Sequence, residues 1–300
     1  MSQSAYEPAS APTLRQIPRR YLALGLIIIA IVLLGALVLV RDNAGPSSSS
    51  TVETFSPAPS SLIATVAAVP SSVYDAVGVS SPANPIIPLQ QIGDAHSPLW
   101  GATVGGGPPE PVVFFYGAEF APYAAAERWP LVLALSRFGT FNQLGLMQSS
   151  ASTAFANLST FTFWNVSYSS RWLVLESVER YSSLNPTGAR YLGLQTPDAR
   201  QSAAIASYGT SPTTFSLLDV ANRYVLDGAA FTPGVLAGLS QDQIAGDLSM
   251  PASPLTQAVV SAANEITAAI CSVDGDRPDA VCESRGVLAA DAVLKVARPH

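Results

Sequence analysis

Hydrophobic and polar positions divide this chain into regions of different character. From Tyr21 to Val40, "YLALGLIIIAIVLLGALVLV", no charge and no polar face interrupts the apolar run. At a rise of ~1.5 Å per residue such a run spans roughly 30 Å, the thickness of a bilayer core. It exceeds the ~7–15 residues of a cleaved signal's apolar region. Val38-Leu39-Val40 also places large residues where a signal peptidase requires small ones. An uncleaved signal anchor, a transmembrane helix over 21–40, is therefore predicted. Residues 41–60 are Ser- and Pro-rich without apolar periodicity and read as an extended tether. Residues 61–111 are mixed, with a short helix at Ser71–Val77 and Pro- and Gly-rich connections ending in "GGGPPEP". Gly105 to Gly107 follow no strand and open no helix, so a loop is expected there and not a nucleotide site.

A regular pattern begins at Pro111. Val112–Tyr116 is an apolar run of strand length, as expected for a strand buried on both faces. Pro122 suits the first turn of the helix that follows, with apolar positions at Trp129, Val132, Leu133 and Leu135 and an end near Gly139. Pro130 should kink it. Thr160–Val166 and Trp172–Val178 read as strands, and Pro197–Tyr208 as a helix. Strands near 214–219 and 223–227 form a hairpin pattern; helices follow at Ser240–Leu248, Pro254–Ile270 and Val287–Val296. There is no internal repeat. This order is that of an α/β thioredoxin-like sandwich, a small mixed sheet with helices on both faces. The expected organisation is a cytoplasmic tail (1–20), the membrane helix, the tether, and one domain over 61–300.

Charge sets the orientation. Arg15, Arg19 and Arg20 precede the membrane run, whereas only Arg41, beside Asp42, follows closely. The positive-inside bias leaves residues 41–300 outside the cytoplasm. The whole chain carries −6; removing Glu7 and the three N-terminal arginines leaves −8 after position 40. Lys295 is the only lysine, and no basic cluster exists, so nucleic acid is not an expected partner.

The strand-to-helix junction carries the chemistry in question. "YGAEFAPYAAAERWP" places Ala121, Pro122, Tyr123 and Ala124 where many thiol–disulfide enzymes carry C-P-Y-C. Such a pair works because the helix N-terminus stabilises a thiolate on the first sulfur, and the second thiol resolves the mixed disulfide. Alanines supply neither. The stretch "VVFFYGAEFAPYAAAERWPLVLALSRFGTF" resembles the thioredoxin-like domain of an uncharacterised family of membrane-anchored bacterial and archaeal proteins, which typically has G-A-E-Y-C-P-Y-C-A-A-x-R-W here. The likeness extends through "LLDVANRYVLDGAAFTPGVLAGLS" to the C-terminal cysteine pair, covering roughly residues 61–285. It implies a thioredoxin fold and, for intact members, a thiol–disulfide role. At Ser216 the chain departs again, because relatives carry proline before the L-D-x-G-N stretch, the position of a cis-proline facing the active site. Losses at two separated places point to natural drift; replacing two cysteines alone would not account for Ser216.

Other candidates are few. Cys271 and Cys282 enclose an Asp-, Gly- and Pro-rich connection and are expected to form a structural disulfide in an oxidising exterior. Asp274, Asp276, Asp279 and Glu283 lack the spacing of a calcium loop, and no metal is expected. With only His96 and His300, no histidine-based triad or metal site is assembled. Glu119 is expected as a solvated or capping carboxylate near the helix N-terminus. Trp129 belongs to the core, and Tyr123 is the better exposed contact. Asn157-Leu-Ser and Asn165-Val-Ser match glycosylation sequons. The function expected is a non-redox binding or scaffold role toward an envelope polypeptide, in a groove formed by Glu119, Tyr123 and Ser216. No cofactor is implied, and the chain is anchored in the membrane through Tyr21–Val40. The alternatives are a residual oxidoreductase using Cys271 and Cys282, or a structural subunit of a membrane complex.

Overall fold

The computed structural model describes residues 55–79, 87–92, 101–103, 109–184, 190–208 and 214–294, within a unit running from Glu53 to His300. The apolar run 21–40 lies outside these residues, as do Gly105–Gly107, His96 and His300. Among the described residues no single helix is long and apolar enough to cross a membrane.

In chain order the elements are β1 (Ser56–Pro57), α1 (Ser60–Ala67), α2 (Ser71–Val77), β2 (Gln90–Gln91), β3 (Gly101–Thr103), β4 (Pro109–Gly117), α3 (Pro122–Leu135), β5 (Gly139–Gln148), β6 (Ser159–Ser170) and β7 (Val174–Glu179). They continue with α4 (Ala199–Tyr208), β8 (Ser216–Val220), β9 (Tyr224–Asp227), a 3₁₀ turn (Pro233–Leu236), α5 (Gln241–Asp247), α6 (Pro254–Asp274), α7 (Asp279–Cys282) and α8 (Arg285–Leu294).

β4 is the centre of a mixed sheet. It runs parallel to β7 on one side and antiparallel to β8 on the other; β9 pairs with β8, and β2 with β9. β3 pairs with the first residues of β4. Alternate residues of β4 feed two cores, which is why its apolar run is continuous. Val113 and Phe115 join Leu218, Val220, Tyr224 and Leu226 against α3 and α6 in the main core. Val112, Phe114 and Tyr116 join Val178, Leu217 and Val225 against Ala204, Ile205 and Tyr208 of α4. Helices therefore cover both faces. A separate three-stranded sheet, β1-β5-β6, is built on the β5–β6 hairpin between α3 and β7, with β1 from the start of the unit added to its edge. It contributes Phe141, Leu144, Phe161 and Phe163 to the main core.

α6 is the helical axis of the main core. It begins with Pro254 in its first turn and ends at Gly275, in the left-handed region with φ 81°. Almost its whole length is buried. Asn264 on this helix donates to Tyr74 O (3.0 Å) and Gly78 O (2.7 Å), closing the carbonyl end of α2.

Several elements differ from the sequence reading. The tether ends earlier than position 60: Ser56 and Pro57 pair with Leu146 and Gly145, and Ser60 opens a helix that buries Leu62 and Val66. α3 ends at Leu135, not near Gly139, which instead starts β5. β5 itself was not expected, because two register shifts break its alternation. α8 starts two residues before Val287.

Candidate functional site

The turn after β4 is tied down by its backbone. Glu119 N–H donates to Tyr181 O (2.8 Å), Ala121 N–H to Ala118 O (3.1 Å), and Phe120 O accepts from Ser150 N–H (3.2 Å). Ala121 then caps α3 in extended conformation (φ −81°, ψ 125°), with Pro122 entering the first turn. No side chain caps this end, and no acidic residue lies in the first turn. Ala121 and Ala124 are both 0% exposed. Tyr123 is half-buried, as is Phe120.

Ser216 faces Gly117 across the β4–β8 pair. It is fully buried, and its hydroxyl meets no hydrogen-bond partner among the described residues. Gly117 must be glycine: a Cβ there would lie 2.6 Å from the Phe115 ring and 3.2 Å from Glu179 Oε2. The neighbouring Phe215 has φ 42°, a left-handed backbone that costs a bulky residue about 1–3 kcal/mol. Rings hold it there: Phe215 packs edge-on to Phe120 (5.2 Å between centroids) and to Tyr181 (5.7 Å). Phe120 stacks flat on Tyr191 at 3.9 Å, and Tyr191 Oη donates to Ser150 Oγ (2.9 Å). The four rings are half-buried and form one aromatic surface beside the turn.

Glu119 is not solvated. It is 0% exposed and belongs to an ionic cluster with Arg128 and Glu179, both also fully buried. Arg128 grips Glu179 with two bonds, Nε to Oε1 at 3.0 Å and Nη2 to Oε2 at 2.6 Å, and reaches Glu119 Oε2 at 3.3 Å. Thr162 Oγ1 donates to Glu119 Oε1, and Phe163 N–H donates to Glu179 Oε1 (3.2 Å). The guanidinium also lies 5.5 Å from the centroid of the Phe115 ring. This cluster joins β4, α3, β6 and β7 at the point where the turn begins. Of the three expected groove residues only Tyr123 is more than marginally accessible; Glu119 and Ser216 are interior.

The aromatic surface was not anticipated, nor were Glu179 and Thr162. Phe120 lies inside the quoted motif and Phe215 beside Ser216, but Tyr181 and Tyr191 stand in distant segments that carry no motif of their own. Trp129 is in the core, donating through Nε1 to Ser159 O (3.0 Å) and packing 4.6 Å from Phe161.

Four more carboxyls are buried, and burial raises each. Glu127 is pushed up to about 8; the Ala230 N–H, bonded to Oε2 at 2.9 Å, opposes this, and Glu265 adds to it. Glu265 rises to about 7, with the Leu89 N–H pulling the other way. Asp219 rises to about 7 although it accepts from Asn222 N–H (2.7 Å) in the β8–β9 turn. Asp274 rises to about 7 while accepting from Arg277 N–H (3.0 Å). Among the described residues no group of three or more metal-ligating side chains is assembled.

Cys271 and Cys282 form a disulfide with Cα atoms 5.7 Å apart, and both residues are 0% exposed. Arg137, after α3, braces the same loop. It donates to Ser284 Oγ (3.0 Å) and lies 4.4 Å from the centroid of the Tyr74 ring.

No curated protein and no solved structure matches the chain. Residues 107–196, less than half of the chain, match an uncharacterised family described as a domain of unknown function (DUF929). The matched stretch contains the A-P-Y-A turn and all of Glu119, Arg128, Thr162 and Glu179.

Proposed function

We propose that this chain is a membrane-anchored, extracytoplasmic thioredoxin-like protein that does not exchange disulfides and that binds an envelope polypeptide beside the former redox turn. The carrying observation is the turn itself. The strand-to-helix junction is intact, yet Ala121 and Ala124 stand at the sulfur positions, and an aromatic surface of Phe120, Tyr181, Tyr191 and Phe215 lies next to it. The thioredoxin-like reading is supported by the strand arrangement: β4 parallel to β7, antiparallel to β8, and β8 antiparallel to β9. Ser216 pairs with Gly117, and the family resemblance is what puts a cis-proline at this position in relatives. Half-buried aromatics suit a polypeptide partner, since they offer large apolar contact with little entropy to lose. Burial of both cysteines argues against a residual oxidoreductase, because exchange requires an attacking thiolate to reach a sulfur.

The test has two arms. The purified protein should reduce insulin disulfides no faster than its Cys271→Ser/Cys282→Ser variant; turnover that depends on Cys271 sinks the non-redox reading. A photo-crosslinking residue at Tyr123 should trap an envelope polypeptide in intact cells. The same residue at Leu288, 47% exposed on α8, serves as the control and should trap none. Equal capture at both positions, or none at Tyr123, sinks the binding reading. Capture lost only on replacing residues 21–40 would favour a structural subunit held through its membrane helix.

A further inference from the structure

We infer that Asn165 is an acceptor for an N-linked glycan in the folded protein, and that Asn157 is not. The inference rests on the extracytoplasmic placement proposed above for its occurrence in cells, and on the structure for its selectivity. Both residues start an Asn-x-Ser sequon, and both are exposed with left-handed backbone, φ 54° at Asn157 and 53° at Asn165. Their surroundings differ.

Asn165 sits at an interruption of the β5–β6 ladder. Thr162 pairs with Gly145, and the next pair is Ser167 with Gln143. Four residues of β6, 163–166, thus stand against one residue of β5, and Asn165 lies in this bulge. Residues 164–166 have no ladder partner on β5, so pulling them toward a transferase breaks no strand pairing there. Ser167, whose hydroxyl the transferase must also read, is exposed.

Asn157 is held differently. Its sequon continues into Leu158, which is 0% exposed, and Ser159, which is 2% exposed. Leu158 N–H donates to Ser149 Oγ and Leu158 O accepts from Ser149 N–H, both at 3.0 Å. Ser159 O also receives the Trp129 indole (3.0 Å). Presenting that serine would extract core residues.

The group transferred is an oligosaccharide from a lipid phosphate or diphosphate donor. The Asn165 Nδ2 attacks the anomeric carbon and a C–N bond forms. The C–O bond to the lipid phosphate breaks, the phosphate leaves with the electron pair, and one amide proton passes to a base of the transferase. No oxidation state changes.

The experiment takes folded full-length chain from a non-glycosylating host, in detergent, with an oligosaccharyltransferase and a lipid-linked oligosaccharide. Peptide mass analysis should show one oligosaccharide on the peptide carrying Asn165 and none on that carrying Asn157. Asn165→Asp removes the amide while tolerating the left-handed backbone, and Ser167→Ala removes the hydroxyl; each should abolish the added mass. An unmodified Asn165, equal modification at Asn157, or modification only after denaturation overturns the inference. In cells of a glycosylating host, a Met250→Cys variant labelled with a membrane-impermeant maleimide reports sidedness, since Met250 is 52% exposed. A labelled reporter with bare Asn165 overturns glycosylation in cells and leaves the topology standing. A silent reporter with bare Asn165, after success in vitro, overturns the topology and leaves the acceptor geometry standing.

Discussion

Replacing Glu127 with glutamine should flatten the pH dependence of stability between pH 5 and pH 7. Glu127 is 0% exposed on α3, its Oε2 bonded to Ala230 N–H and its Oε1 without a donor among the described residues. Burial raises its folded-state pKa from 4.5 to about 8. The sign follows from proton counting. Below pH 4.5 both states hold the proton, and the group contributes its full stability. Between 4.5 and about 8 only the folded state retains it, so stability falls as pH rises. Each pH unit in that window costs about 1.4 kcal/mol, so moving from pH 5 to pH 7 costs about 2.7 kcal/mol through this residue alone. Glu265, Asp219 and Asp274, each raised to about 7, act in the same direction.

Glutamine has nearly the shape of a protonated glutamate and no proton to lose. It keeps the acceptor toward Ala230 N–H. Denaturant titrations of wild type and Glu127→Gln at pH 5, 6 and 7 provide the measurement. The wild-type midpoint should fall across the series, and the variant's should fall less, by the equivalent of about 2–3 kcal/mol at pH 7. At pH 5 the two should nearly coincide. Parallel pH profiles would refute the reasoning, because they would mean that Glu127 is not protonated in the folded state. A variant less stable at every pH by a constant amount would likewise assign the residue to packing.

Arg128→Ala should destabilise the protein by about 3–5 kcal/mol in denaturant titration, since it leaves Glu119 and Glu179 buried without their cation; a loss below 1 kcal/mol would show that water replaces the guanidinium. Cys271→Ser with Cys282→Ser should cost about 3 kcal/mol, from opening a loop of 11 residues, read as a lower Tm relative to the oxidised wild type. Gly286→Ala should cost about 1–3 kcal/mol by overpacking, because the new methyl would lie 2.5 Å from Tyr74 O and 2.7 Å from Asn264 Nδ2. An unchanged or raised Tm would show that α8 can slide away from α2.

What could be read from the chain depended on how local the cause was. Val112–Tyr116 declared itself because both faces of β4 are buried, so no polar position breaks the run. The hairpin at 216–227 has a local cause as well: Asp219 accepts from Asn222 N–H three residues on, where Ala221 and Asn222 take left-handed φ. β5 was illegible because its buried and exposed positions follow no period once the ladder slips. α1 was hidden because its first residues, Ser60 and Ser61, continue the Ser-rich composition of the tether and its mostly apolar run, Leu62 to Ala67, lasts less than two turns. At the site, the alanines and their position were visible, but the fate of Glu119 was not. Its partner hydroxyl lies 43 residues away on Thr162, and Arg128 finds Glu179 across 51 residues. A carboxylate ahead of a helix looks solvated until the sheet brings those groups together.

The burial of Ala121 and Ala124 has a consequence for installing thiol chemistry at this turn. Two alanine-to-cysteine substitutions would write C-P-Y-C at the turn. Yet each alanine is 0% exposed, and a thiol placed at either position would begin beneath the surface, out of reach of another protein's disulfide. Exchange there would require the cover over the turn to be remodelled as well. Two cysteines in the sequence would therefore not by themselves make this turn a disulfide-exchange site.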